Sequence, residues 1–155
     1  MQKRNFKSYR LFTLAPGFFL SLKKKSMTTT TKTYEVFYDK DTDKVVMDWH
    51  GYANSKEFKE GTELMLNTLI KNNTSKVLAN IKEMTLIGTE DQKWLEDYFI
   101  PRAINFGFKF LAIIKPDYYF NKVAVESVSS KIDQSKLMIN FFDNIPEARE
   151  WLARK

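Results

Sequence analysis

Val77-Leu78-Ala79-Asn80-Ile81 is a short, mostly apolar run set between Ser75-Lys76 and Lys82-Glu83. It lacks the in-out alternation of a half-exposed strand, and reads as a strand buried on both faces. Phe110-Leu111-Ala112-Ile113-Ile114, stopped by Lys115-Pro116, is a second run of this kind, and Leu137 to Phe142 makes the last strand. Strands covered on both sides belong to parallel sheets, so the segments between these runs should be crossover helices.

The intervening segments carry helix signals. Asn54 with Glu57 three residues on is a capping-box start, Phe58, Thr62, Met65, Leu66 and Leu69 recur at helical spacing, and Asn72-Asn73 ends the helix. Thr89 with Gln92 opens a second helix, Thr89 being its N-cap; it carries Trp94, Leu95, Tyr98 and Phe99. Pro101 must kink or restart that helix, and Gly107 suits its C-terminal cap. Asp117 caps a third helix running through Val128, and Ile145 to Ala153 forms a terminal amphipathic helix with Pro146 in its first turn. There Ile145, Ala148, Trp151 and Leu152 share a face, so the Trp151 indole should be largely buried.

Upstream, Tyr34 to Tyr38 and Lys44 to Trp49 are β-rich runs separated by an Asp-rich turn, a hairpin pattern. The order is β-β-α-β-α-β-α-β-α. It predicts one α/β domain over residues 34–155, with an N-terminal β-hairpin and a mixed, mostly parallel sheet flanked by helices.

Composition narrows the chemistry. Among 155 residues there is no cysteine, which removes disulfides, thiolate nucleophiles and cysteine metal sites and fits a reducing cytoplasm. The formal charge of +6 is unevenly spread: seven of the 25 basic residues lie in residues 1–26, which hold no acid. The other 18 face all 19 acids, a net charge of −1, and they alternate with acids instead of forming a stripe. Nucleic acid is therefore not an expected partner.

Residues 1–33 form a basic N-terminal extension outside the predicted fold. Its apolar stretch, Leu11 to Leu22, is interrupted by Pro16-Gly17 and followed by Lys23-Lys24-Lys25. That departs from a secretory signal, and about 12 residues fall short of the roughly 20 a bilayer span takes. Met27 is the expected natural start, with contact of residues 1–26 with an anionic membrane as the alternative.

No catalytic, cofactor-binding or metal-binding set is visible. Asp39, Asp41 and Asp43 have the look of a calcium loop, but Lys44 and His50 stand where Gly and Glu belong, so this is an acidic hairpin turn. His50, the single histidine, has no companion for zinc and no nucleophile beside it, and Trp49-His50-Gly51 reads as a strand ending. The five glycines are scattered and form no phosphate-cradling loop. Trp94, Tyr98, Phe99, Phe106 and Phe108 are candidates for an apolar pocket, although such a stripe more often packs a helix on its sheet.

In order and spacing these segments resemble the STAS fold of the anti-sigma-factor antagonists, and more closely the SpoIIAA-like group of small bacterial proteins. The resemblance rests on Trp49-His50-Gly51, Asn80-Ile81-Lys82-Glu83-Met84, Trp94, Pro101-Arg102 with Gly107, and Phe142-Asp143-Asn144 leading into Glu147-Ala148 and Trp151-Leu152. It implies a non-enzymatic regulatory or adaptor domain acting through protein contacts, with a working surface at Lys82 to Thr89 and the second helix. The phosphoswitch positions of the antagonists match Asn80 and Thr89, with Gly88 where a second Asp is frequent. Those acids are absent here and Glu90-Asp91 adjoin Thr89, so an unmodified Thr89 is expected. The alternative function is binding of a lipid or other apolar molecule between the helices and the sheet, in an enclosed cavity of roughly several hundred Å³.

Because residues 1–26 carry no periodic apolar face, a chain beginning at Met27 should unfold at the same thermal midpoint as the full chain. A loss of several degrees in calorimetry would show that the segment packs on the domain.

Overall fold

The structure, a computed structural model, describes Thr29–Thr30 and residues 33–155; the expectations for residues 1–26 lie outside the described residues. Six strands form one sheet in chain order: β1 Thr29–Thr30, β2 Tyr34–Asp39, β3 Lys44–Gly51, β4 Lys76–Met84, β5 Phe110–Ile114 and β6 Met138–Phe142. β1 and β3 each run antiparallel to β2, and β3 through β6 are mutually parallel. Thr29–Thr30 pairs with Glu35 and Val36, so the sheet begins inside the segment the sequence places outside the fold.

Among the described residues the helices are α1 Ser55–Asn72, α2 Thr89–Trp94, a π turn Leu95–Phe99, α3 Ile100–Asn105, α4 Tyr119–Ser130 and α5 Ile145–Ala153. From β3 onward each new strand is added on the same side of the last. Right-handed crossovers then place every connecting helix on one face. That face meets α1, the α2–α3 segment and α4 through Val45, Met47, Trp49, Val77, Ala79, Ile81 and Ile113. Alternate residues Val46, Leu78, Ala112 and Ile114 point the other way, onto Ala148 and Leu152 of α5.

Local chemistry accounts for most of the boundaries. Both halves of the α1 capping box form, Glu57 N donating to Asn54 Oδ1 at 2.9 Å and Asn54 N to Glu57 Oε2 at 3.0 Å. Asn73 closes α1 in the left-handed region at φ 52°. In the hairpin turn, burial pushes the Asp39 carboxyl up, but bonds from Thr42 and the buried Lys44, whose Nζ lies 3.1 Å away, hold it below the ordinary range. Pro101 has no N–H and crowds the carbonyl four residues back. The wider π turn relieves this, with Ile100 N bonding Leu95 O, so the helix continues across the proline. Gly107, at φ +99°, ends it: Phe108 N reaches Ala103 O and Gly107 N reaches Ile104 O.

Three expectations are corrected. The N-cap of α2 is Gly88, with Thr89 the first helical residue, because the Gly88 carbonyl already accepts Gln92 N. The N-cap of α4 is Tyr118; Asp117 is exposed and its backbone N donates to Lys82 O at 2.9 Å, and the helix runs on to Ser130. Trp151 is half-buried, its ring packed on Phe110 and Phe142 and capped by Lys155. Ala148 and Leu152 are the fully buried residues of α5, so Trp151→Ala should cost less than the ~3–5 kcal/mol of a fully buried tryptophan.

A close approach in the core is that of α1 to β3, at Gly61 and Trp49. Tyr34, Trp49 and Phe58 stack in sequence, with ring centroids 5.2 and 5.6 Å apart. Gly61 is buried against them, and a Cβ there would lie 2.6 Å from the end of the Trp49 indole. Gly61→Ala should therefore destabilise the domain by about 1–3 kcal/mol in urea unfolding, despite the better helix propensity of alanine.

Candidate functional site: the carboxyl edge of the sheet

Four parallel strands place their C-terminal ends on one edge, and the loops leaving β3, β4 and β5 meet there. Each loop carries large apolar side chains that the core does not take up. Tyr52 follows β3, Leu86 follows β4, and Tyr118, Tyr119 and Phe120 follow β5; Tyr119 and Phe120 are 72% and 76% exposed. The Tyr119 and Phe120 rings meet edge-on at 5.6 Å. Tyr118 is the extended N-cap and Tyr119 and Phe120 open the helix about 100° apart, so the three do not share one core-facing side.

A completely buried amide fixes this rim. Asn121 Nδ2 donates to Met84 O and Asn121 Oδ1 accepts from Ile87 N, both at 3.0 Å. These bonds tie the first turn of α4 to the β4–α2 loop on either side of Leu86. Thr85 N donates to Gly51 O at 2.9 Å, joining the β3 end as well. Beside the rim, Lys82, Lys115, Lys122, Tyr119, Asp117 and Asp143 line an open polar crevice of about 380 Å³. Lys115 Nζ pairs with Asp143 at 3.0 Å there.

The predicted surface from Lys82 to Thr89 lies on this edge. Lys82, Gly88 and Thr89 are exposed, whereas Asn80 is half-buried inside β4, its Oδ1 accepting the Lys82 amide at 3.2 Å. The rings of Trp94, Tyr98 and Phe99 are neighbours, but the pocket candidates do not all line one cavity. A cavity of about 110 Å³ does lie between the sheet and the helices; of the candidates Phe99 and Phe108 line it, with Met47, Phe58, Leu95 and Ile100 among the other walls. Trp94 packs between Phe58 and Phe99, and Tyr98 lies outside, more than half exposed, with Arg102 4.9 Å above its ring. The helical repeat turns Tyr98 outward while Trp94 stays at the edge of the core.

One titratable cluster sits at the root of the rim. His50 Nδ1 is 2.8 Å from Glu83 Oε2, and His50 Nε2 is 3.9 Å from Asp48 Oδ2. The Glu83 bond, reinforced by the Asp48 and Glu35 charges, raises the imidazole above its ordinary range in spite of partial burial. Burial raises the Asp48 carboxyl, and the Glu35 and Glu83 charges add to that; His50 and Asn80 pull it back only in part. Among the described residues no group of three or more such side chains is arranged to hold a metal ion.

The sequence reading missed Asn121 and the aromatic rim. Tyr118-Tyr119-Phe120 was the available signal: three aromatics in a row at a helix start exceed what one apolar face can bury. The cluster was not legible, because the partners of His50 are distant in sequence. Asn121→Ala should leave a buried amide and carbonyl unpaired and cost about 1–3 kcal/mol in thermal unfolding. Amide exchange at Ile87 should rise with it.

No protein-family profile and no curated protein matches the chain. Among solved structures, it is similar to an uncharacterized protein of the DUF3478 family with a SpoIIAA-like fold from Shewanella loihica PV-4. The two are 17% identical and superpose with a TM-score of 0.54 over 81% of this chain and 98% of the other. No helix among the described residues is long and apolar enough to cross a membrane. With the hairpin, the three one-sided crossovers and α5 on the opposite face, the protein has a SpoIIAA-like fold.

Proposed function

We propose that this domain is a non-enzymatic, STAS-like adaptor of the cytoplasm that binds a partner protein through the carboxyl-edge rim. The observation that carries the reading is the exposure of Tyr52, Leu86, Tyr118, Tyr119 and Phe120 at one edge, where a buried Asn121 ties two of the three connections and the Thr85–Gly51 bond joins the third. Exposed aromatics on a fixed backbone lose little entropy on binding, which is how interface anchors work. The rim takes in the Lys82–Thr89 loop and extends it onto α4. Its contact surface is therefore α4 and two loops more than the α2 helix. Thr89 is exposed beside it, but Glu90 and Asp91 disfavour a phosphate there.

A second reading, binding of an apolar molecule between helices and sheet, draws support from the apolar cavity beside the π turn. At about 110 Å³ the cavity is smaller than one that takes up benzene, so a lipid would require the α2–α3 segment to swing away from the sheet.

A photo-crosslinking amino acid placed at Phe120 or Leu86, and at Glu150 on α5 as a control, distinguishes the two in cells of the native host. The rim positions should each give the same discrete protein adduct and the α5 position none. Absence of a rim adduct, or adducts at all three positions alike, would defeat the adaptor reading. A small apolar molecule recovered by native mass spectrometry would favour the second.

A further inference from the structure

The face of the sheet beneath α5 is apolar at Phe37, Val46 and Leu78 and turns polar two residues further along each strand. Those positions are Glu35 on β2, Asp48 on β3 and Asn80 on β4. Glu35 stands directly opposite Asp48 in the antiparallel register, two like charges face to face. Asp48 is opposite Asn80, but the next pair in register is His50 with Glu83, an irregularity that advances β4 by one residue. In an unbroken ladder His50 would stand opposite Lys82. The bulge thus removes a lysine from the imidazole and substitutes an acid, while Lys82 goes to the crevice with Lys115 and Asp143.

One imidazole therefore faces Glu35 from β2, Asp48 from its own strand and Glu83 from β4. Asp48 Oδ1 is buried with no hydrogen-bond partner, and the imidazolium is the cation beside it that compensates its charge. The next pair in register, Gly51 with Met84, is the root of the rim: Thr85 N bonds Gly51 O, and Met84 O accepts from Asn121.

We propose that Glu35, Asp48, His50 and Glu83 form a proton-operated clasp that holds the ends of β3 and β4 together beneath the rim. With His50 charged, one cation ties three carboxylates across three strands. When it loses its proton the carboxylates repel, the β3–β4 end loosens, and the loops bearing Tyr52 and Leu86 lose their order. As regulation of partner binding, this rests on the adaptor reading of the rim; as a property of the fold, it does not.

The sign follows from the groups themselves. The folded imidazole is raised above its ordinary value of 6.5. Its stabilisation is therefore complete below that value and is lost as pH rises through the folded one. Asp48, also raised, acts in the same direction, since its ionised form is the one the fold disfavours. With 46% of the His50 side chain exposed, salt should weaken the effect.

The test is amide exchange of the full chain with no partner present, so its outcome is independent of whether the rim binds anything. Protection factors corrected for intrinsic exchange are followed at Thr85 and Ile87 from about pH 5.5 to about pH 8.5, with Ile113 in β5 as the internal control. Protection at Thr85 should fall several-fold while Ile113 holds. The midpoint should match the His50 value found by NMR titration. Glu83→Gln should lower both together, and His50→Gln should abolish the pH dependence. A His50 that titrates at or below 6.5, flat protection at Thr85, or an unchanged fall in His50→Gln would each overturn the proposal.

Discussion

The handedness of the crossovers, combined with strands added always on the same side, is the constraint from which the rest of this structure follows. A sheet that grows in one direction sends α1, the α2–α3 segment and α4 to a single face. That concentrates the large core there, around Trp49, Phe58, Phe99 and Phe108. It also leaves the opposite face bare except where the chain turns back after β6, and α5 covers that part with Ala148 and Leu152. The uncovered remainder, at the ends of β2, β3 and β4, is where charged residues can stand on a sheet that is otherwise apolar.

The same constraint gathers the loops. Parallel strands deliver every βα connection to one edge, so side chains distant in sequence become neighbours with no packing of their own to satisfy. Such an edge would ordinarily be loose. Asn121 prevents this by answering one donor and one acceptor of the β4–α2 loop from inside α4. A buried amide of this kind is costly unless both of its bonds form, and that requirement is what locks the position of the loop.

Two irregularities in otherwise regular elements have consequences larger than their size. The π turn before Pro101 keeps one long helical segment over the sheet, and Leu95, Phe99 and Ile100 border the small cavity there. The bulge at the end of β4 decides whether a lysine or a glutamate confronts His50. Neither alters the fold, and each changes the chemistry of a particular place on it.

By itself, the sequence determined the element order, the parallel sheet and most of the boundaries. Runs such as Val77 to Ile81, and the signals of Asn54 with Glu57, Asn73 and Gly107, act within a few residues of themselves. It missed by one residue at Thr89 and at Asp117, where a cap depends on where the incoming strand lets the chain turn. It had no access to the exposure of Trp151 and Tyr98, because a helical face is apolar whether or not a neighbour covers all of it. The tertiary structure alone decided the site: which loops share an edge, that Asn121 ties two of them, and that Glu83 meets His50. Those are contacts between residues 33 or more positions apart, set by crossover direction and strand register, and no local periodicity encodes either.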